Sequence, residues 1–142
     1  MSNKSRTKGH NLERLIASIF RDRLQFQFAK TSRAASRLLD NCKIDIWGIP
    51  FNIQCKSGYD KSRPKYEKLY NEALVLLKDN YPPSDPVHNY PYVLIHKINE
   101  RTKGRFTWTF RHEDILDILE DYYKTKQQNE ELIARINELE SS

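Results

Sequence analysis

Asp45 is an acid in an apolar setting, with Ile44 before it and Ile46 after it. After eight intervening residues the chain reads Gln54-Cys55-Lys56. Burying an Asp and a Lys in a sheet is costly unless they pair or bind something. A local break in an apolar pattern is also where function is expected. The residue types suit a hard divalent cation, because Mg²⁺ takes oxygen ligands in an octahedron and keeps several waters. Asp45 offers a carboxylate, Gln54 an amide oxygen and Cys55 its main-chain carbonyl. Glu13, further upstream, can supply a second carboxylate. Lys56 beside such a cation can orient a water or offset charge growing on a phosphate oxygen. The chemistry implied is metal-assisted hydrolysis of a phosphodiester, with Mg²⁺ as cofactor and Mn²⁺ as its substitute.

The elements that must hold these groups are partly legible. Residues 1–8 are polar and basic and read as a loose arm. Leu12, Leu15, Ile16, Ile19 and Phe20 make one apolar stripe, which predicts a helix over Asn11–Arg23 with Glu13 near its start. Residues 25–29 alternate as a short strand. Residues 30–41 carry Thr31, Ser32, Ser36, Arg33 and Arg37 and read as an irregular segment beside a functional surface. Residues 43–47 and 51–56 each alternate, and Gly48-Ile49-Pro50 lies between them. Two such runs joined by a tight turn predict a β-hairpin, with Asp45, Gln54 and Lys56 together on its polar face. A second helix is expected over residues 64–78, with Leu69, Ala73, Leu76 and Leu77 inward. Strands are expected over residues 92–98 and 105–110, and a final helix starts near His112.

Asp45, Gln54-Cys55-Lys56 and Glu13 on a preceding helix together resemble the PD-(D/E)XK nuclease superfamily. The resemblance implies an α/β fold with an αβββαβ restriction-endonuclease-like core, a mixed central sheet flanked by helices, over about residues 8 to 110. It implies Mg²⁺ held by Glu13, Asp45, Gln54 and the Cys55 carbonyl, with Lys56 completing the catalytic set. Small size and the hydroxyl-rich stretch before the hairpin resemble the archaeal- and phage-type Holliday-junction resolvases. In those enzymes a Ser or Thr upstream of the hairpin helps at the site. Thr31, Ser32 and Ser36 are all candidates here. Two departures stand out: Ile44 replaces the proline, and Gln54 replaces an acid. The second removes one negative charge, so weaker metal binding or a single ion is expected. The alternatives are a catalytically weak or silent DNA-binding relative, or a nuclease for other DNA structures.

The charge distribution agrees with a polyanionic partner. The chain of 142 residues has 24 basic and 19 acidic residues, for a net +5. Residues 1–68 hold 15 basic against 6 acidic and residues 69–142 hold 9 against 13, so the halves carry +9 and −4. A basic half points to nucleic acid. Lys30, Thr31, Ser32, Arg33, Ser36, Arg37, Lys61 and Arg63 are the candidate DNA contacts, to backbone rather than base edges. No apolar run is long enough for a membrane span. No signal-peptide pattern opens the chain, and two cysteines make no disulfide framework, so a reducing cytoplasm is the expected compartment. Residues 1–123 are expected to form the nuclease-like domain and 124–142 an acidic helical tail. Ile115, Ile118, Tyr122, Thr125, Asn129, Leu132, Ile136 and Leu139 recur at spacings of three and four, a heptad register with polar Thr125 and Asn129. That pattern reads either as a dimerising coiled coil or as a core helix with a solvated end. A homodimer would present two sites for paired cuts across a junction.

Overall fold

The structure, a computed structural model, describes residues 3–58, 63–98 and 105–141, with residues 3–6 and 8 described by backbone alone. Lys61 and the expected turn at 99–104 lie outside the described residues. The chain divides into two units, residues 1–110 and 111–142.

Helix α1 runs over Asn3–Ser18 and continues as one wide π turn, Ile19–Arg23. It therefore begins eight residues earlier than the start expected at Asn11, and the expected loose arm is helical from Asn3. A solvated polar stretch gives no hydrophobic period, yet an established helix can propagate through it at one hydrogen bond per residue. Leu12, Ile16, Ala17 and Phe20 are buried on one face of this helix. The π turn closes with Leu24 N–H on Ile19 O, and Phe26 N–H on Phe20 O holds the exit. Gln25 then takes a left-handed φ of 64°. That reversal prevents the strand expected over residues 25–29: Phe26 turns inward while Phe28 stays exposed.

Strand β1 is only Lys30–Thr31. Two short helices follow, α2 Ser32–Ala35 and α3 Arg37–Asn41, where a loop is expected from sequence. The Ser36 hydroxyl accepts Leu39 N–H at 3.2 Å and so caps α3. α3 ends with Lys43 N–H on Asp40 O and Ile44 N–H on Leu39 O, a Schellman arrangement with Lys43 in the left-handed region. Strand β2, Ile46–Trp47, pairs antiparallel with β1, Lys30 opposite Trp47 and Thr31 opposite Ile46. Gly48 turns the chain at φ +86°, where a Cβ would lie 2.6 Å from the Phe28 carbonyl oxygen.

Strands β3 (Asn52–Gly58), β4 (Tyr92–Ile98) and β5 (Arg105–Thr109) form a mixed three-stranded sheet in that order. β3 and β4 are parallel, with Asn52 opposite Tyr92, and β4 and β5 are antiparallel. Helix α4, Tyr66–Asn80, makes the crossover between β3 and β4, followed by a 3₁₀ turn at Pro86–Asn89. The expected β-hairpin is not a ladder here, since β2 pairs with β1 and β3 with β4. The two runs are instead joined through Asp45, whose N–H donates to Ile53 O at 2.7 Å and whose Oδ2 accepts Cys55 N–H at 2.7 Å.

The sheet separates two apolar clusters. Leu12, Ile16, Phe20, Ile53, Val93 and Ile95 pack on the α1 side, where the Phe20 ring meets those of Phe26, Phe51 and Trp108. Leu39, Cys42, Ile44, Ala73, Leu77, Val87 and Tyr92 pack on the α4 side. Helices on both faces of a largely apolar sheet make a layered α/β arrangement. Both faces of β3 are covered, so Asn52, Ile53 and Gln54 are all buried. The polar face of this strand is covered at Asn52 and Gln54, where Asn52 Nδ2 donates to Val87 O at 3.0 Å, and is exposed further along at Lys56.

The second unit is helix α5, His112–Ser141, without a buried residue. Among the described residues, no helix is long and apolar enough to cross a membrane.

Candidate functional site

β3 is the outer strand of its sheet, and its free edge carries the site. Asn52 N–H points to the β4 side, toward Pro91 O. Ile53 and Cys55 therefore turn their main-chain groups to the opposite edge, because N–H and C=O of one strand residue share a side. Asp45 occupies that edge. Its Oδ2 accepts Cys55 N–H at 2.7 Å, and its own N–H donates to Ile53 O at 2.7 Å. The Cys55 carbonyl leaves the strand on the same side as the carboxylate. The arrangement reaches Asp45 without the hairpin that spacing suggested.

The β1–β2 register continues one step further, setting Ser32 opposite Asp45, with Ser32 N–H donating to Asp45 O at 2.8 Å. Ser32 is fully buried, and among the described residues its Oγ has no hydrogen-bond partner. The three hydroxyl candidates thus separate. Ser36 is used as a helix cap. Thr31 lines a small hollow of about 160 Å³ with His10, Glu13, Arg14, Arg33 and Ala34. Ser32 is the one beside Asp45 with an unused hydroxyl.

Glu13 reaches the site from α1 and is largely buried. Arg33, one residue into α2 from Ser32, faces it, with Nη2 at 3.5 Å from Oε1 and 3.3 Å from Oε2. Arg33 is half-exposed, so it covers Glu13 from the solvent side. Lys30, Arg37 and Arg63 are exposed.

The electrostatics are those of a crowded anionic pocket. Burial pushes the Asp45 carboxyl up to about 7; Cys55 N–H and the Lys56 cation oppose this, while Glu13 and Asp40 add to it. The Cys55 thiol is pushed well above its ordinary range by burial and then by the negative charges of Asp45 and Glu13. A thiol held protonated in this way is neither a nucleophile nor a thiolate ligand. Its side chain packs toward the α1 cluster.

Gln54 and Lys56 share the other face of β3 with Tyr92. The Tyr92 hydroxyl donates to Gln54 Oε1, and burial, with Tyr66, Asp45 and Glu72 nearby, keeps that hydroxyl protonated. Tyr66 Oη in turn donates to Tyr92 O at 2.9 Å. Tyr92 was not singled out from the sequence, where it reads only as the first residue of an apolar run. Lys56 is exposed and close enough to Asp45 to favour its ionised form.

The donor set is two carboxylates, one amide and one main-chain carbonyl, all oxygen, which fits a hard cation better than zinc or a softer metal. Among the described residues, no three His, Cys, Asp or Glu side chains cluster as metal ligands, so any cation would depend on Gln54 and the main chain for its further oxygens. No family model, no curated protein and no solved structure matches this chain.

Proposed function

We propose that this chain is a Mg²⁺-dependent DNA endonuclease of PD-(D/E)XK type, with a restriction-endonuclease-like core, acting on branched DNA such as four-way junctions. The observation that carries the reading is Asp45 seated on the Cys55 N–H, beside Glu13 and next to the Gln54-Cys55-Lys56 tripeptide. Glu13, Asp45, the Cys55 carbonyl and Gln54 would hold the cation. When bound, it supplies Lewis acidity at a phosphate oxygen and lowers the pKa of a water.

The chain's own groups do the rest. Cys55 N–H orients the Asp45 carboxylate, and Lys56 supplies positive charge at the same edge for a phosphate oxygen or a water. Ser32 keeps a hydroxyl free at the strand beside Asp45. Lys30, Arg37 and Arg63 are exposed and would contact the DNA backbone, giving salt-dependent and sequence-independent binding. No base-reading motif accompanies them, which is why structure rather than sequence is proposed as the target.

One observation favours a second reading, a DNA-binding module without catalysis. Gln54 brings no charge, and its Oε1 is already engaged by Tyr92.

The test is cleavage of a labelled four-way junction and of matched linear duplex, with Mg²⁺, Mn²⁺ or EDTA. Metal-dependent, symmetric junction cuts are expected, lost about 100-fold or more in Asp45→Ala and Lys56→Ala. Equal cutting of both substrates would point to a general nuclease. Tight junction binding without cleavage in either metal would establish the silent module.

A further inference from the structure

We infer that α5 forms a parallel, in-register, two-stranded coiled coil with a second copy of this chain. The inference does not rest on the nuclease reading.

Every residue from Asp121 to Ser141 is exposed, and this includes large apolar side chains at Tyr122, Leu132, Ile133, Ile136 and Leu139. Leu139 is 75% exposed and Ile133 58%. Ile115 and Ile118, at the start of the stripe, are half-buried, and from Tyr122 onward its apolar side chains face solvent, which makes that part of the helix an interaction surface. The stripe has the coiled-coil period over about three and a half heptads, the length at which such pairing becomes stable. Ile115, Tyr122, Asn129 and Ile136 take the a positions; Ile118, Thr125, Leu132 and Leu139 take d. The last two heptads place β-branched Ile136 at a and Leu132 and Leu139 at d, the combination that favours two parallel strands. A hollow on the helix surface is lined by seven residues, among them Tyr122, Thr125, Lys126 and Asn129, the a, d, e and a positions between which one knob of a facing helix would seat.

Charge selects the occupant and its direction. In a parallel, in-register pair, each g residue faces the e residue five positions on in its partner. Asp121 then meets Lys126 of the other copy, and Arg135 meets Glu140. Both are attractive, both occur twice by symmetry, and the remaining g–e positions bring no like charges together. Asn129 meets its own counterpart at an a position, where paired Asn side chains satisfy each other and hold register and strand number. In the antiparallel pair that aligns the same layers, Lys126 faces its own copy and Asn129 faces Thr125, so these matches are lost. A single acidic helix, with 9 acidic and 3 basic residues over 113–142, is thus self-complementary through the few cations it has.

The experiment is the solution mass of the full chain by analytical ultracentrifugation, together with two kinds of variant. A mass of twice 16.9 kDa is expected, falling to one chain in Leu132→Asp with helicity of the remaining protein retained. Asp121→Lys should weaken dimerisation about fivefold, and Asp121→Lys with Lys126→Asp should restore it. Leu139→Cys should form a disulfide-linked dimer under mild oxidation, where the unsubstituted chain does not. A single-chain mass at micromolar concentration would overturn the inference, as would a trimer or tetramer. A dimer in which Leu139→Cys fails to cross-link would overturn the parallel arrangement. These readouts are hydrodynamic and are unaffected by whether the protein cuts DNA.

Discussion

The Asp45 carboxylate accepts the main-chain N–H of Cys55 at 2.7 Å, ten residues along the chain. This bond replaces one rung of a ladder that β2 and β3 do not form. A main-chain donor holds the carboxylate at a defined place on the strand edge while leaving its second oxygen for another partner. The same carboxyl is pushed up to about 7, chiefly by burial. A group held by one donor in a crowded anionic site is costly to ionise until a cation arrives.

That cost has a sign in pH. The folded carboxyl keeps its proton to about 7, while the unfolded one loses it near 3.8. The folded state therefore binds more protons between those values, and stability falls as pH rises through them, levelling above 7. Asp45→Asn keeps an oxygen for Cys55 N–H and removes the titration. In EDTA its Tm should match the parent near pH 4 and exceed it by several degrees at pH 8, with about 2–8 °C of Tm attached to each kcal/mol in domains of this size range. Calorimetry across that pH range checks it; equal melting at pH 8 would show that Asp45 carries no burial cost.

Arg33 competes with any cation for Glu13. Arg33→Ala should tighten Mn²⁺ binding several-fold in calorimetric titration, while weakening DNA binding and lowering its salt slope by about one. The pair joins a half-exposed Arg33 to a largely buried Glu13, so its removal should cost about 1 kcal/mol and lower Tm by a few degrees. Weaker Mn²⁺ binding in the variant would mean that Arg33 positions Glu13 rather than competing for it.

Ser32 carries a buried hydroxyl with no hydrogen-bond partner among the described residues, an arrangement that costs about 1–3 kcal/mol when water is excluded. Ser32→Ala should therefore leave thermal stability equal or higher and reduce junction cleavage by at least tenfold. A variant that melts lower and cuts normally would assign Ser32 to packing alone.

Tyr92→Phe removes the donor to Gln54 Oε1 and leaves a buried amide oxygen unsatisfied. Unfolding by urea should show a loss of about 1–3 kcal/mol. The companion change Gln54→Leu in the same background should recover part of it, because both polar partners are then gone.

Periodic features were legible from the residues. Leu12, Ile16, Ile19 and Phe20 of the first stripe, the apolar run of β4 and the inward set Leu69, Ala73, Leu76 and Leu77 lie where their periods place them, buried or partly buried, while Leu15 of the same stripe is exposed. Asp45 was legible as an acid out of pattern, and its link to the tripeptide was legible as proximity. The form of that link was not. Whether β2 pairs with β3 or with β1 is decided by a turn at Gly48 and by a left-handed Lys43, a residue type that gives no warning of positive φ. Phe26 and Phe28 alternate as strand residues do, but the reversal at Gln25 sends them into a turn. The partners of the site side chains, Arg33 for Glu13 and Tyr92 for Gln54, lie 20 and 38 residues away in the chain, beyond the reach of any local pattern.

Gly48 carries an evolutionary consequence. Its φ of +86° disfavours other residues, and a Cβ would strike the Phe28 carbonyl, a main-chain atom that no side-chain change can move aside. Drift can replace Trp47 or Phe28 freely in identity, since the obstacle is backbone. A descendant that keeps this crossing must keep glycine three positions after its aspartate. The Asp-x-x-Gly spacing is therefore the durable inherited mark of this site, set by geometry where the chemistry alone would require only the acid.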